Sequence, residues 1–211
     1  MTKVIAIDGP SASGKGSLAK RVARFFDIPY LNTGALYRLI AWRVLQQDVD
    51  VNHIDHHIAS LAQNITEDDL ELEELFSEKV GGVASLVAKN PLVRKALFDF
   101  QRDFAMQGKQ QKGGCVLDGR DTGSVICPDA DFKFFVTADV AIRARRRFEQ
   151  LVAKGDDVSY DEILTQLQKR DENDSNRKDA PLVVADGAVV IDNSALSIED
   201  GVKKIIHIVN N

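Results

Sequence analysis

The chain has 211 residues, 44% of them hydrophobic and 28% charged, with a formal net charge of −5. That length suits one α/β core domain with a modest excursion, and the composition excludes collagen-like, disordered and membrane-spanning classes. The acidic balance excludes wholesale binding of a nucleic acid polymer, which relies on many Lys and Arg contacts to phosphate.

In chain order, Val4 to Ile7 is a short, continuously apolar run that reads as a strand buried on both faces. It is too short for a signal-peptide core, so a cytoplasmic protein with no membrane partner is expected. Lys15 to Phe26 reads as a helix, Pro29 to Leu31 as a second strand and Ala35 to Gln46 as a second helix. The acidic stretch Glu67 to Glu78 breaks this rhythm, and residues 66–106 form a mainly helical excursion in which Pro91 opens a helix running past Phe104. Cys115 to Leu117, Phe132 to Val136 and Val189 to Ile191 are further strands. Ala141 to Lys154 is a helix stopped by Gly155, and Ser159 with Glu162 forms a capping box opening a helix towards Arg170. Ser197 with Asp200 opens the last helix, which carries Val202, Ile205, Ile206 and Val209 at core-facing spacing. Strands alternating with helical crossovers predict a parallel α/β sheet covered by helices on both sides. Cys115 and Cys127 lack zinc-ligand spacing and read as reduced, structural thiols. No long apolar heptad stripe calls for a partner, so a monomer is expected.

Gly9-Pro10-Ser11-Ala12-Ser13-Gly14-Lys15-Gly16-Ser17 stands between a strand run and a helix pattern, the context of a phosphate-binding P-loop. Glycines open backbone geometries that let several N–H groups converge on phosphate oxygens at the positive end of the next helix. Lys15 adds a cation for the β- and γ-phosphates of a nucleotide. The strict pattern has Ser or Thr directly after the lysine, whereas here Gly16 intervenes and Ser17, a candidate magnesium ligand, comes one place later. Farther on, Arg143, Arg145, Arg146 and Arg147 lie together, followed by Arg170 and Arg177, so a local site for a small polyanion fits inside an acidic chain.

Three more stretches carry chemistry: Asn32-Thr33-Gly34-Ala35-Leu36-Tyr37-Arg38, Asp118-Gly119-Arg120-Asp121-Thr122-Gly123 and Arg170 to Arg177. From the residues alone, the first is either a capped helix with a solvated arginine or an anion site. The second is either an Asp-Gly turn or a ligand loop at a strand end, with Asp118 and Asp121 equal candidates for metal work. In the third, Arg170, Asp174 and Arg177 share one helix face, as an ion-pair ladder or as a binding surface.

Together with the phosphate loop, and with Ala180-Pro181-Leu182 and Ile191-Asp192-Asn193-Ser194, these stretches resemble the bacterial cytidylate kinases, the CMP/dCMP kinase family, over most of the chain. The resemblance implies a P-loop kinase domain over 1–211, an acceptor-binding excursion over 48–106 and a helical lid over 148–177. It implies transfer of the γ-phosphoryl group of ATP to CMP or dCMP, with Mg2+ bridging the donor phosphates. Thr33, Gly34, Tyr37, Arg38 and Arg120 then hold the acceptor, with Arg38 and Arg120 on its phosphate. Ser85, Arg94 and Asp121 read cytosine, Arg170 and Asp174 meet the ribose, and Arg177 stands by the transferred phosphate. Asp118 organises magnesium through water, alongside Ser17. Lys15, Arg120 and Arg177 are the catalytic candidates. Arg143, Arg146 and Arg147 clamp the donor or stack on adenine, Arg147 being the preferred donor contact, and Arg145 faces away. The excursion is shorter and more acidic than the family's usual insert, with Phe76 at the approximate place of a basic residue. Two rival readings remain: a P-loop kinase for another small acceptor such as UMP, AMP or a shikimate-like metabolite, and a non-enzymatic nucleotide switch.

Overall fold

The computed structural model describes residues 2–211. Among them, β1 (Lys3–Asp8), β2 (Tyr30–Asn32), β3 (Gly114–Gly119), β4 (Phe132–Thr137) and β5 (Val189–Asp192) form one parallel sheet in the order β2-β3-β1-β4-β5. The five apolar runs are thus the five strands. β3 is buried throughout and β1 from Val4 onward, which is why their sequences do not alternate. The edge strand β5 buries only Ile191.

The helices are α1 (Lys15–Phe26), α2 (Thr33–Gln46), α3 (Ile58–Leu61), α4 (Glu78–Val87), α5 (Pro91–Gln111), α6 (Val140–Lys154), α7 (Tyr160–Asn176) and α8 (Ile198–Asn210). Their ends follow side-chain chemistry. Ser159 and Glu162 form the capping box of α7, and Ser197 accepts from the Asp200 N–H at the start of α8. Asn90 caps α5 ahead of Pro91, and Gly155 ends α6 at φ 90°. Two boundaries differ from the sequence expectation. The Asn32 side chain accepts from the Ala35 N–H, so α2 starts at Thr33. Helix α7 continues past Arg170 to Asn176, which places Arg170 and Asp174 on one continuous helix with Arg177 as its C-cap.

Two cores sandwich the sheet. Leu18, Val22, Ile205 and Val209 of α1 and α8 pack on Ile5, Ile7, Phe134 and Val136. On the other face, Leu36 and Ile40 of α2 meet Leu75, Val80, Val87, Leu97 and Leu117. The acidic excursion therefore shares the core of α2. Two short 3-10 turns, Asp68–Glu71 and Glu73–Phe76, insert Leu70 and Leu75 into it. Position 106, the expected end of the excursion, falls inside α5. Helices α6 and α7 pair over a separate small core of Ala144, Leu151, Ile163 and Leu167. Cys115 and Cys127 are free and buried.

Gly108 lets α5 lie directly on β3: a Cβ there would stand 2.6 Å from the Cys115 Cβ and 2.8 Å from the Gly114 carbonyl oxygen. Alanine offers about 1 kcal/mol more helix propensity than glycine. Overpacking against atoms that cannot rotate away costs about 1–3 kcal/mol. Gly108→Ala is expected to lose about 1 kcal/mol net in urea unfolding; an unchanged or higher midpoint would show that α5 slides off the strand freely.

Candidate active site

The sheet reverses its winding at β1 and β3, the place where open α/β sheets collect ligands. β1 runs into the loop Gly9 to Gly14. Gly9 passes so close to β4 that a Cβ would stand 2.0 Å from the Val136 carbonyl oxygen. Gly14, at φ 89°, opens α1, whose first turn carries no side-chain cap and no acidic residue. That leaves a positive helix end facing the cleft, suited to a polyphosphate. The loop is braced from behind. Asn193 Nδ2 donates to the Ser13 carbonyl at 2.8 Å, and the buried Arg143 donates to the carbonyls of Ala138 and Ser11 at 2.8 and 3.2 Å.

In front of the loop lies a cleft that gathers residues from five separate segments. Lys15, Thr33, Gly34, Tyr37 and Arg38 line one side. Ser85, Arg94, Asp118, Arg120 and Asp121 line another, and Arg170, Asp174 and Arg177 close it from α7 and its C-cap. Six cationic side chains thus face three carboxylates. Burial, with Arg120 nearby, lowers the pKa of Arg170 to about 10, and burial also lowers those of Arg38 and Arg177. For Lys15, burial and then Arg120 outweigh the opposing pull of Asp118, so its pKa falls well below the lysine range. Arg94 Nη1, Arg170 Nε and Arg177 Nη2 are buried without a hydrogen-bond partner. Cations crowded with donors to spare make a receptor for an anion carrying several oxygens.

The carboxylates organise this crowd. Asp121 is paired with Arg94 and, at 3.6 Å, with Arg177, and Arg94 lies 5.7 Å over the Tyr37 ring. Asp174 accepts from Arg120 Nε at 2.7 Å. Burial raises the Asp174 pKa, but Arg120 and Arg170 overcome it and hold the group below the usual carboxylate range. Asp118 accepts from the Tyr30 hydroxyl at 3.2 Å, and burial keeps its pKa above the usual range despite Lys15. A Cβ on Gly16 would stand 3.1 Å from Asp118 Oδ2. The missing side chain at that position thus admits the carboxylate to the first turn of α1, beside the exposed Ser17.

The chain matches the family model described as cytidylate kinase over residues 5–211. It is 44% identical to a cytidylate kinase of Caulobacter sp. (strain K31), covering 98% of this chain and 94% of that protein. It is 48% identical to a cytidylate kinase of Xanthobacter autotrophicus, covering 92% and 91%. The chain belongs to the cytidylate kinase family. Solved structures carry the fold further afield. An uncharacterized protein from Eubacterium ventriosum superposes with a TM-score of 0.56 at 15% identity, covering 100% of this chain and 99% of that one. Shikimate kinase from Bacteroides thetaiotaomicron follows at 0.51 and 12%, covering 99% of each. At such identities the likeness is one of architecture, the P-loop kinase fold.

Within this cytidylate kinase family member, Arg143, Arg146 and Arg147 of α6 all bond to protein groups. Arg143 is spent on the Ser11 and Ala138 carbonyls and on Asp171 at 2.6 Å. Arg146 bonds the Asn193 carbonyl at 2.7 Å and that of Ser194 at 3.3 Å. Arg147 pairs with Glu78 at the start of α4, while Arg145 lies outside, 5.0 Å over the Tyr160 ring. Thr33 donates its hydroxyl proton to the Asp118 carbonyl at 2.8 Å, so it ties α2 to β3. Arg38 Nη1 holds the Leu75 carbonyl at 2.6 Å, fastening the excursion to α2. Sequence reasoning missed Asp8, Asp171 and the bracing amide of Asn193, because their partners are backbone groups or residues far along the chain. Helix α7 signalled Asp171 only as one more acid in a charged run.

Asp171→Ala would leave the Arg143 guanidinium, 6% exposed, without its counter-ion. Breaking a buried pair from one side costs about 3–5 kcal/mol, and the partial exposure of Asp171 brings this down to about 2 kcal/mol. Urea unfolding should register that loss; a loss below about 0.5 kcal/mol would mean that carbonyl contacts alone hold Arg143.

Proposed function

We propose that the protein transfers the γ-phosphoryl group of ATP to CMP, and to dCMP as a second acceptor, releasing ADP with CDP or dCDP. The observation that carries this reading is the single cleft in which a phosphate loop faces a cation cluster ending in the Asp121, Arg94 and Ser85 group. The triphosphate lies along the backbone of Gly9 to Ser17 with Lys15 at its end. Arg38 and Arg120 take the acceptor phosphate, and Arg170 and Asp174 meet the ribose. Arg177 lies between the acceptor site and the transferred group.

Phosphate oxygen is already anionic, so no strong base is required. The work is alignment, charge screening and exclusion of water. Lys15, Arg120 and Arg177 stabilise charge spread over the moving phosphoryl group. Helix α7, on its own small core with α6, serves as the lid over residues 148–177, and the excursion over 48–106 supplies the acceptor wall. For magnesium, hard oxygen donors are in place: Ser17 in the first turn of α1, and the Asp118 carboxylate that glycine at position 16 admits. Held by these two groups, a magnesium ion would supply positive charge to offset that of the donor phosphates.

Base selection follows from hydrogen-bond polarity. Asp121 only accepts, so it suits the exocyclic amino group of cytosine; Arg94, with Nη1 unpartnered, donates to ring acceptors, and Ser85 does either. Uracil presents a carbonyl to the carboxylate, a mismatch that in such sites is worth up to about 10⁴-fold.

Lys15→Ala should fold normally yet lose at least about a hundredfold in kcat, the usual consequence of deleting charge stabilisation at the transferred group. A coupled assay of ADP release decides this, and a rate within a few-fold of the parent refutes the assignment. The same assay with CMP, dCMP, UMP, AMP and shikimate tests the reaction itself. Asp121→Asn keeps the side-chain shape but presents a donor, so the CMP/UMP ratio of kcat/KM should fall by about a hundredfold, whereas Arg120→Ala should damage both acceptors alike. A parental ratio in Asp121→Asn would confine Asp121 to holding Arg94 and Arg177.

A further inference from the structure

Asp8 closes β1, is 4% exposed and does not line the cleft. Its Oδ1 accepts from the backbone N–H and the hydroxyl of Thr122, both at 2.8 Å, and its Oδ2 accepts from the Gly123 N–H at 2.7 Å. These two residues open the π-helical turn Thr122–Ile126, which directly follows Arg120 and Asp121. Burial raises the Asp8 pKa to about 6 against all three donors, and the charge of Asp121 adds to it. A carboxylate kept where its charge is resisted is poorly explained by stability alone.

The side-chain partners of Arg120 and Asp121 themselves sit on elements outside the sheet: Asp174 on α7, Arg177 at its end and Arg94 on α5. Asp8 stands on the central strand, opposite Gly119 in the β1–β3 register. We propose that Asp8 is a positioning residue for the acceptor, clamping the turn that carries Arg120 and Asp121 to the strand feeding the phosphate loop. Donor and acceptor cradles thereby keep one fixed spacing whether or not the lid is in contact. This rests on the CMP kinase reading above. A displacement of about 1 Å between aligned reactants can cost 10²-fold in rate, so the clamp acts on acceptor use while the donor loop, braced separately by Asn193 and Arg143, stays in place.

The test is steady-state kinetics with CMP and UMP on Asp8→Asn, Thr122→Val and Thr122→Ser beside the parent. Asp8→Asn sets an amide N–H against one of three donors and should lower kcat/KM for CMP by about tenfold to a hundredfold. The CMP/UMP ratio should fall with it, and the KM for ATP should stay within about twofold. Should Asp8→Asn not fold, Thr122→Val decides the matter: it removes only the hydroxyl bond, and several-fold losses in the same two readouts are expected, with Thr122→Ser restoring parental values. Folded variants with a parental kcat/KM for CMP and a parental ratio overturn the proposal, as does equal damage to ATP and CMP use. A parent that shows no CMP-dependent ADP release overturns the reaction reading together with it; an active parent with unaffected variants overturns the clamp alone.

Discussion

The parallel pairing of β1 with β3 sets Ile7 opposite Asp118 and Asp8 opposite Gly119. The phosphate loop and the Arg120–Asp121 turn therefore leave the sheet side by side and at one level. A slip of one residue would turn every side chain of either strand to the opposite face. Apolar residues buried on both faces of these strands oppose that slip. The neighbouring registers carry the other braces: β1 on β4 brings Gly9 against Val136, and β2 on β3 brings Thr33 to the Asp118 carbonyl.

Charge is the second constraint. Six cations and three carboxylates share a largely desolvated cleft, where like charges repel more strongly than in water. Each acid is committed to cations or hydroxyls already on the protein, so the surplus is positive and the unpartnered N–H groups belong to arginines. Such a site is held in shape by its acids and completed by an anionic ligand, which receives donors already aimed and partly stripped of water.

The sequence reveals the architecture because its signals are local: continuous apolar runs for strands, Ser159 with Glu162 and Ser197 with Asp200 for helix starts, and glycines around Lys15 for the cradle. The short 3-10 turns at Asp68–Glu71 and Glu73–Phe76 have no such signature, since acidic residues with isolated leucines carry no helical or strand period. Site membership is legible mainly through family resemblance; spacing alone leaves Asp118 and Asp121 equivalent, and only the structure shows one beside Lys15 and the other between Arg94 and Arg177. The α6 arginines mark the limit. A run of guanidiniums reads the same whether it meets phosphate or the carbonyls of Ser11 and Asn193, and nothing local in the sequence names partners so distant.

The contact between Arg147 and Glu78 joins the α6–α7 pair to α4 of the excursion, with side-chain exposures of 26% and 53%. Lys89 and Asn173, both polar and at the surface, add a second link at 2.8 Å. Solvated links of this kind contribute about 0–1 kcal/mol each, and salt weakens the ionic one. They add little to what holds the two arms together, and an equilibrium between closed and open arrangements shifts only by the difference in a ligand's affinity for the two states. A ligand that touches both arms at once would supply that difference. A seam this weak adds little of its own, so how firmly the two arms stay together is set chiefly by what lies between them.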